Sequence, residues 1–178
     1  MKKSILTFAI VAVGLLVAAC GAKTSIGNQQ GTDEVKDASA NISGITSTIE
    51  HSQFSVGLPN GWQTMPSDDP TYPGTMLFRG GNEMNLADTG FLMFNLEKKE
   101  GKSLEESMTE FENESKAQRL KAMTFGDTTW QGFEIKEGEV TGKILVMEQN
   151  GYFVTATITK MELDDPDIKA IIQSFKTK

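Results

Sequence analysis

Few residues in this 178-residue chain are equipped for covalent or acid–base chemistry. It holds one cysteine, Cys20, and one histidine, His51. A cysteine thiolate serves as nucleophile, metal ligand or half of a disulfide. A lone cysteine excludes an internal disulfide, so its setting decides among the remaining roles. Cys20 closes the run Leu16-Val17-Ala18-Ala19-Cys20, directly after a short apolar segment, where a thiol is placed to accept lipid. Used in that way, it is no longer free for thiol catalysis or metal binding. A histidine-based triad has to use His51, which has no acid pattern and no nucleophile elbow beside it. His51 therefore reads as a surface or edge residue at the start of the first strand. The chain carries no HExxH, phosphate loop or GxGxxG. No catalytic residue is assigned.

Carboxylates are the other reactive groups in quantity. Asp68 and Asp69 lie in a proline-rich loop over residues 65–74, and Glu83 and Asp88 in a loop over 80–90. If those loops met, their hard oxygen ligands could hold calcium. EF-hand spacing is absent, so no metal site is assigned. Asp164, Asp165 and Asp167 read as helix-capping acids, and Glu105, Glu106, Glu110, Glu112 and Glu114 as the solvated face of a helix. The same two loops carry Tyr72, Met84 and Leu86, apolar side chains on polar connections and hence the candidates for contact with a partner. Met76, Met93, Met108, Met123 and Met147 read as core fillers rather than metal ligands.

The segment ahead of Cys20 has the three parts of a secretory signal. Lys2 and Lys3 form a positive start, residues 5–17 an apolar centre, and Ala18-Ala19 the small residues before a cut. The apolar centre is shorter than the roughly 20 residues of a spanning helix. Val17-Ala18-Ala19-Cys20 resembles the lipobox of bacterial lipoproteins. The resemblance implies cleavage before Cys20 and a diacylglyceryl group with an N-acyl chain on it, and no other cofactor. Each buried methylene contributes about 0.8 kcal/mol, so two or more chains anchor stably where one does not. The implied location is a bacterial cell membrane, on its extracytoplasmic face.

Cleavage removes Lys2 and Lys3 and no acid, leaving 15 basic against 24 acidic residues and a net charge of −9. Such a surface does not suit nucleic acid, whose grip comes from basic contacts to phosphate. It is not drawn to an anionic leaflet either, so the lipid has to do the anchoring. Residues 20–45 then form a lipidated start and a tether rich in Gly, Ser, Thr, Asn, Gln and Asp. Over residues 21–44, Ile26, Val35 and Ile42 are the only sizeable apolar residues, too few to offset ordering entropy. A short helix over residues 32–40 is an open alternative. As a coil the tether reaches roughly 25–30 Å.

Residues 46–178 make one domain. Strands are expected over 54–58, 75–78, 91–96, 130–136, 140–148 and 152–159, with 91–96 central because it is apolar on both faces. Pro59-Asn60-Gly61 marks a turn, and Gln149-Asn150-Gly151 a hairpin. In the last strand Tyr152, Val154, Ala156 and Ile158 share the greasier face. Ser103-Leu104-Glu105-Glu106 fits a capping box opening a helix that buries Leu104, Met108 and Phe111. Asp165-Pro166 opens a second helix burying Ile168, Ile171, Ile172 and Phe175, with Lys176 and Lys178 at its negative end. Strands, a helix, three more strands and a closing helix imply an α+β domain with helices on a largely antiparallel sheet.

Two motifs carry a further resemblance. Phe54-Ser55-Val56-Gly57-Leu58-Pro59-Asn60-Gly61-Trp62 is similar to the opening of PsbP-like domains, and Ile171-Ile172-Gln173-Ser174-Phe175 to their closing helix. That superfamily includes the PsbP subunit of photosystem II, a Ran-binding nuclear import factor and many bacterial envelope lipoproteins. The resemblance implies an α/β/α sandwich around an antiparallel sheet, with Trp62 and Phe175 in the core. It also implies a non-catalytic binding or assembly module, here for an envelope protein. The alternatives are a small-ligand or metal-ion carrier with a pocket between sheet and helix, and an envelope hydrolase.

Overall fold

Asn150 and Gly151 both take positive φ, 50° and 79°, the backbone of a two-residue turn whose twist matches its flanking strands. They join the β-hairpin over residues 140–159 of the computed structural model, which describes residues 42–66, 73–80, 90–137 and 140–178. The elements run β1 (Ile45–Glu50), β2 (Phe54–Pro59), β3 (Trp62–Pro66), β4 (Gly74–Arg79), β5 (Phe91–Lys98) and α1 (Leu104–Ser115). They continue with β6 (Gln118–Phe125), β7 (Thr128–Glu137), β8 (Val140–Gln149), β9 (Tyr152–Thr159), α2 (Pro166–Ser174) and β10 (Lys176–Thr177).

Seven strands form one antiparallel sheet in the order β3-β4-β5-β9-β8-β7-β6, and β1-β2-β10 form a second. Two hairpins lay down one side of the large sheet. Then α1 carries the chain from β5 to the far edge, and the meander β6 to β9 returns to close against β5. Strand β5 is interior, as its two apolar faces require, while β9 holds the middle place.

The helices lie on opposite faces, because alternate residues of one strand pack under different helices. Leu145 and Met147 join Leu92, Phe94, Val154, Ala156, Trp130 and the α2 residues Ile168, Ile171 and Ile172 in the main core. Ile144 and Val146 on the reverse pack with Phe133 under Met108 and Phe111 of α1. A third cluster on that reverse face joins Met76, Phe78 and Phe91. The greasier face of β9 thus faces α2, yet its threonine face is buried too. The domain is mostly β, with one helix on each side.

Both helix starts match their sequence signals. Ser103 Oγ accepts from Glu106 N at 3.2 Å while the Glu106 carboxylate accepts from Ser103 N at 2.8 Å. Asp165 caps α2 by accepting from Asp167 N at 2.9 Å. α2 ends differently from expectation. No basic residue stands in its last turn. The chain instead extends into β10, and Lys178 Nζ pairs with Glu50 and donates to the His51 carbonyl. Close packing of α2 on β2 rests on Gly57, where a Cβ would stand 2.9 Å from Ser174 Cβ and Oγ.

Four strands exceed the sequence expectation: β1, β3, β6 and the two-residue β10. β1 and β3 are short, and the β1 pairing with β2 shifts register between Ile45 and Ser47. β6 makes four strands between the helices rather than three. It is an edge strand with a bulge between Leu120 and Met123, which breaks the alternation that would reveal it.

Candidate functional site

Most of the side chains singled out for chemistry or contact stand outside the described residues. These are Cys20, the candidate contact residues Tyr72, Met84 and Leu86, and the loop acids Asp68, Asp69, Glu83 and Asp88. The strands that carry the two loops are described. β3–β4 and β4–β5 are successive hairpins, with Pro66 opposite Thr75 and Phe78 opposite Phe91. Their connections therefore leave from opposite ends of β4, about 17 Å apart at ~3.4 Å per residue.

Beside the β4–β5 connection, the sheet face turned away from α2 carries Met76, Phe78 and Phe91, with Met65 and Met93 packed alongside. Under α1 lies the separate cluster of Met108, Phe111, Phe133, Ile144 and Val146. On the same face β9 presents Thr155, Thr157 and Thr159 to its neighbours Asn95, Met93 and Phe91. All three threonines are buried. The hydroxyls of Thr157 and Thr159 have no hydrogen-bond partner among the described residues. The methionines fill space, as their flexible side chains suit.

His51 lies in the β1–β2 turn rather than at the start of the first strand. Its Nδ1 accepts from Gln53 N at 3.3 Å, and its ring stacks on Phe54 with centroids 4.6 Å apart. The turn and the stacking fix its place.

The expected capping acids divide into two roles. Asp165 caps α2, while Asp167 accepts from Trp62 Nε1 at 3.0 Å and from Arg79 at 2.8 Å. Arg79 also donates to Asp165 at 2.8 Å and lies over the Trp62 ring, 5.1 Å from its centroid. The indole N–H first, and then Arg79, hold the Asp167 carboxyl below its ordinary range. This clasp ties the opening motif to the closing helix. Phe175 completes the link by stacking on Phe54 at 5.5 Å and on Phe94 at 4.5 Å. Both residues expected in the core, Trp62 and Phe175, are buried there.

The acids of α1 are engaged rather than simply solvated. Glu105 and Glu112 both accept from Arg119 of β6 at 2.7 Å. Glu110 accepts from Lys102 at 2.6 and 2.8 Å. Such partners are placed by the β6 register and the turn before α1, neither visible in helix periodicity.

Glu97 is a group that residue patterns did not single out. It shares a face of β5 with Met93 and Asn95 and is half-buried opposite Phe153. Burial, reinforced by Glu100 and opposed by Lys102, pushes its pKa up to about 7. Extending the expected strand by one residue would have reached it.

Among the described residues there is no group of three or more His, Cys, Asp or Glu able to hold a metal ion. Also among these residues, no helix is long and apolar enough to cross a membrane.

No protein-family model matches the chain, and no curated protein matches it. Solved structures offer loose likenesses. One is the cyanobacterial PsbP protein CyanoP from Synechocystis sp. PCC 6803, with 13% identity, TM-score 0.45, and cover of 88% of this chain and 100% of that one. Another is LpqN of Mycobacterium tuberculosis, described as involved in cell envelope biogenesis, with 15% identity, TM-score 0.44 and cover of 70% and 83%. A third is a protein of Bacteroides thetaiotaomicron VPI-5482, with 12% identity and TM-score 0.44 over 70% of this chain. The match spans less than half of that protein, 45%. Likenesses this distant assign neither a family nor a function.

Proposed function

We propose that the chain is a lipid-anchored, non-enzymatic binding or assembly module on the extracytoplasmic side of a bacterial cell envelope. The observation that carries this reading is Cys20 in its setting: a positive start, a short apolar centre, Ala18-Ala19, then the only thiol in the chain. A diacylated cysteine holds the protein at a leaflet, and the polar tether lifts the domain clear of it. The resemblance to PsbP-like domains supports the module reading. Its two motifs serve the fold, since Trp62 and Phe175 join the ends of the domain through the Asp167 hydrogen bond and the Phe54 and Phe94 stacks. Recognition then falls to the connections on either side of β4.

Two measurements on intact cells test this together. Labelling with an alkyne fatty acid should mark the wild type and not Cys20→Ala, which should leave the membrane fraction. Crosslinking followed by mass spectrometry should then capture one envelope protein through residues 65–90, and lose it with the anchor. Label on the Cys20→Ala variant would overturn the anchor. Crosslinks no different from that variant would overturn the module.

A further inference from the structure

The dipeptide Asn-Gly stands at both Asn60-Gly61 and Asn150-Gly151, in two different settings. Both pairs are exposed, so accessibility does not tell them apart. The second pair is clamped at each residue. Asn150 Nδ2 donates to the Thr177 carbonyl at 3.3 Å, and the Gly151 carbonyl accepts from Lys99 N at 2.9 Å. Asn150 is also fixed at a φ of 50° between strands that pair as far as Gln149 and Tyr152. The first pair lies in the turn from β2 to β3, two strands of different sheets. Gly61 takes a φ of 79° and Asn60 stays on the negative side. Among the described residues, no backbone bond holds this turn, and none holds the Asn60 side chain.

We propose that Asn60 is a site of spontaneous deamidation in the folded protein and that Asn150 is not. A following glycine makes asparagine labile because, with no Cβ, it leaves its own amide nitrogen open to the side chain before it. The Gly61 amide nitrogen gives up its proton and attacks Asn60 Cγ. A C–N bond forms to Gly61, the bond from Cγ to Nδ2 breaks, and the freed nitrogen leaves with that proton as ammonia. Water then opens the cyclic imide at either carbonyl, leaving aspartate or isoaspartate. The step consumes water and no oxidant or reductant. At Asn60 no bond has to break before the side chain swings onto Gly61 N. At Asn150 the same swing gives up the Thr177 contact and turns a backbone held by Lys99. The product adds a carboxylate just before Trp62, whose ring N–H holds Asp167. This inference is independent of the lipid anchor and of any partner.

Peptide mass spectrometry of the full chain, kept in heavy-oxygen water at mildly alkaline pH, is the test. Heavy oxygen should enter residue 60 at about the rate that it does in urea, with isoaspartate among the products. Residue 150 should convert at least about tenfold more slowly than residue 60 while the protein is folded, the scale of two hydrogen bonds. In urea the two rates should converge. Asn60→Gln should lose the label at residue 60 and leave the other peptides unchanged. Equal rates at the two pairs in the folded protein would overturn the proposal. So would a folded protein that slows Asn60 as strongly as Asn150. A difference that persists in urea would also overturn it, by assigning the contrast to neighbouring residues rather than to the fold.

Discussion

The Thr157 hydroxyl is buried on the middle strand of the large sheet with no hydrogen-bond partner among the described residues. Its neighbours in register are Met93 and Ile144, neither of which offers oxygen or nitrogen in its side chain for a strong bond. An unsatisfied buried polar group costs about 1–3 kcal/mol, whereas valine has the same branched shape without that cost. Thr157→Val is therefore expected to stabilise the protein by about 1 kcal/mol in urea unfolding at neutral pH. A loss of stability would mean that the hydroxyl has a partner. Elsewhere single residues show why patterns alone reach only so far. Asp165 acts as a cap, as its place before Pro166 foretells, whereas Asp167 belongs to a clasp with Trp62 and Arg79, distant in sequence.

At the scale of elements, α2 is fastened to the rest by shape more than by charge. Gly57 lets it approach β2, and Gly57 N donates to Ser174 Oγ at 2.7 Å. A methyl group at that position meets Ser174 Cβ and the Ile45 side chain below 3.0 Å. Backbone and helix cannot both stay in place, so Gly57→Ala should destabilise by about 1–3 kcal/mol, the usual scale of overpacking. Denaturant unfolding measures the loss, and an unchanged midpoint would show that α2 moves aside freely. Both helices were legible because each pairs an explicit cap with a regular apolar stripe. β8 and β9 were legible through Asn150-Gly151. β6 was not, because an edge strand needs only half a face of apolar residues and its bulge resets the count.

For the whole molecule, two carboxyls shifted in opposite directions show how stability follows pH. Folding lowers the pKa of Asp167 from its usual value through the Trp62 N–H and Arg79. Its contribution is present above the unfolded value and lost as pH falls through the folded one. Glu97 acts in the opposite sense, its pKa rising from 4.5 to about 7 on folding. Its contribution is fully present below about 4.5 and lost as pH rises to about 7. Wild-type stability should therefore decline across that upper window, and Glu97→Gln should flatten the decline while leaving the acid side alone. Urea midpoints measured at intervals of pH decide it. A decline of the same size in the variant would assign it to another group.

The sequence by itself determined both helices, six of the strands and the anchor candidate. Caps, turns and apolar period are local, so they act within a few residues and can be read there. Cys20 and the run before it are local in the same way, as are the two motifs that open and close the domain. Tertiary structure alone decided that α1 and α2 lie on opposite faces, and that the connections bearing Tyr72 and Met84 leave from opposite ends of β4. It alone paired Trp62 with Asp167, Arg119 with two glutamates of α1, and Lys102 with Glu110. These follow from strand order and register. Both are chosen by burying many side chains at once, and no short stretch of chain carries that choice.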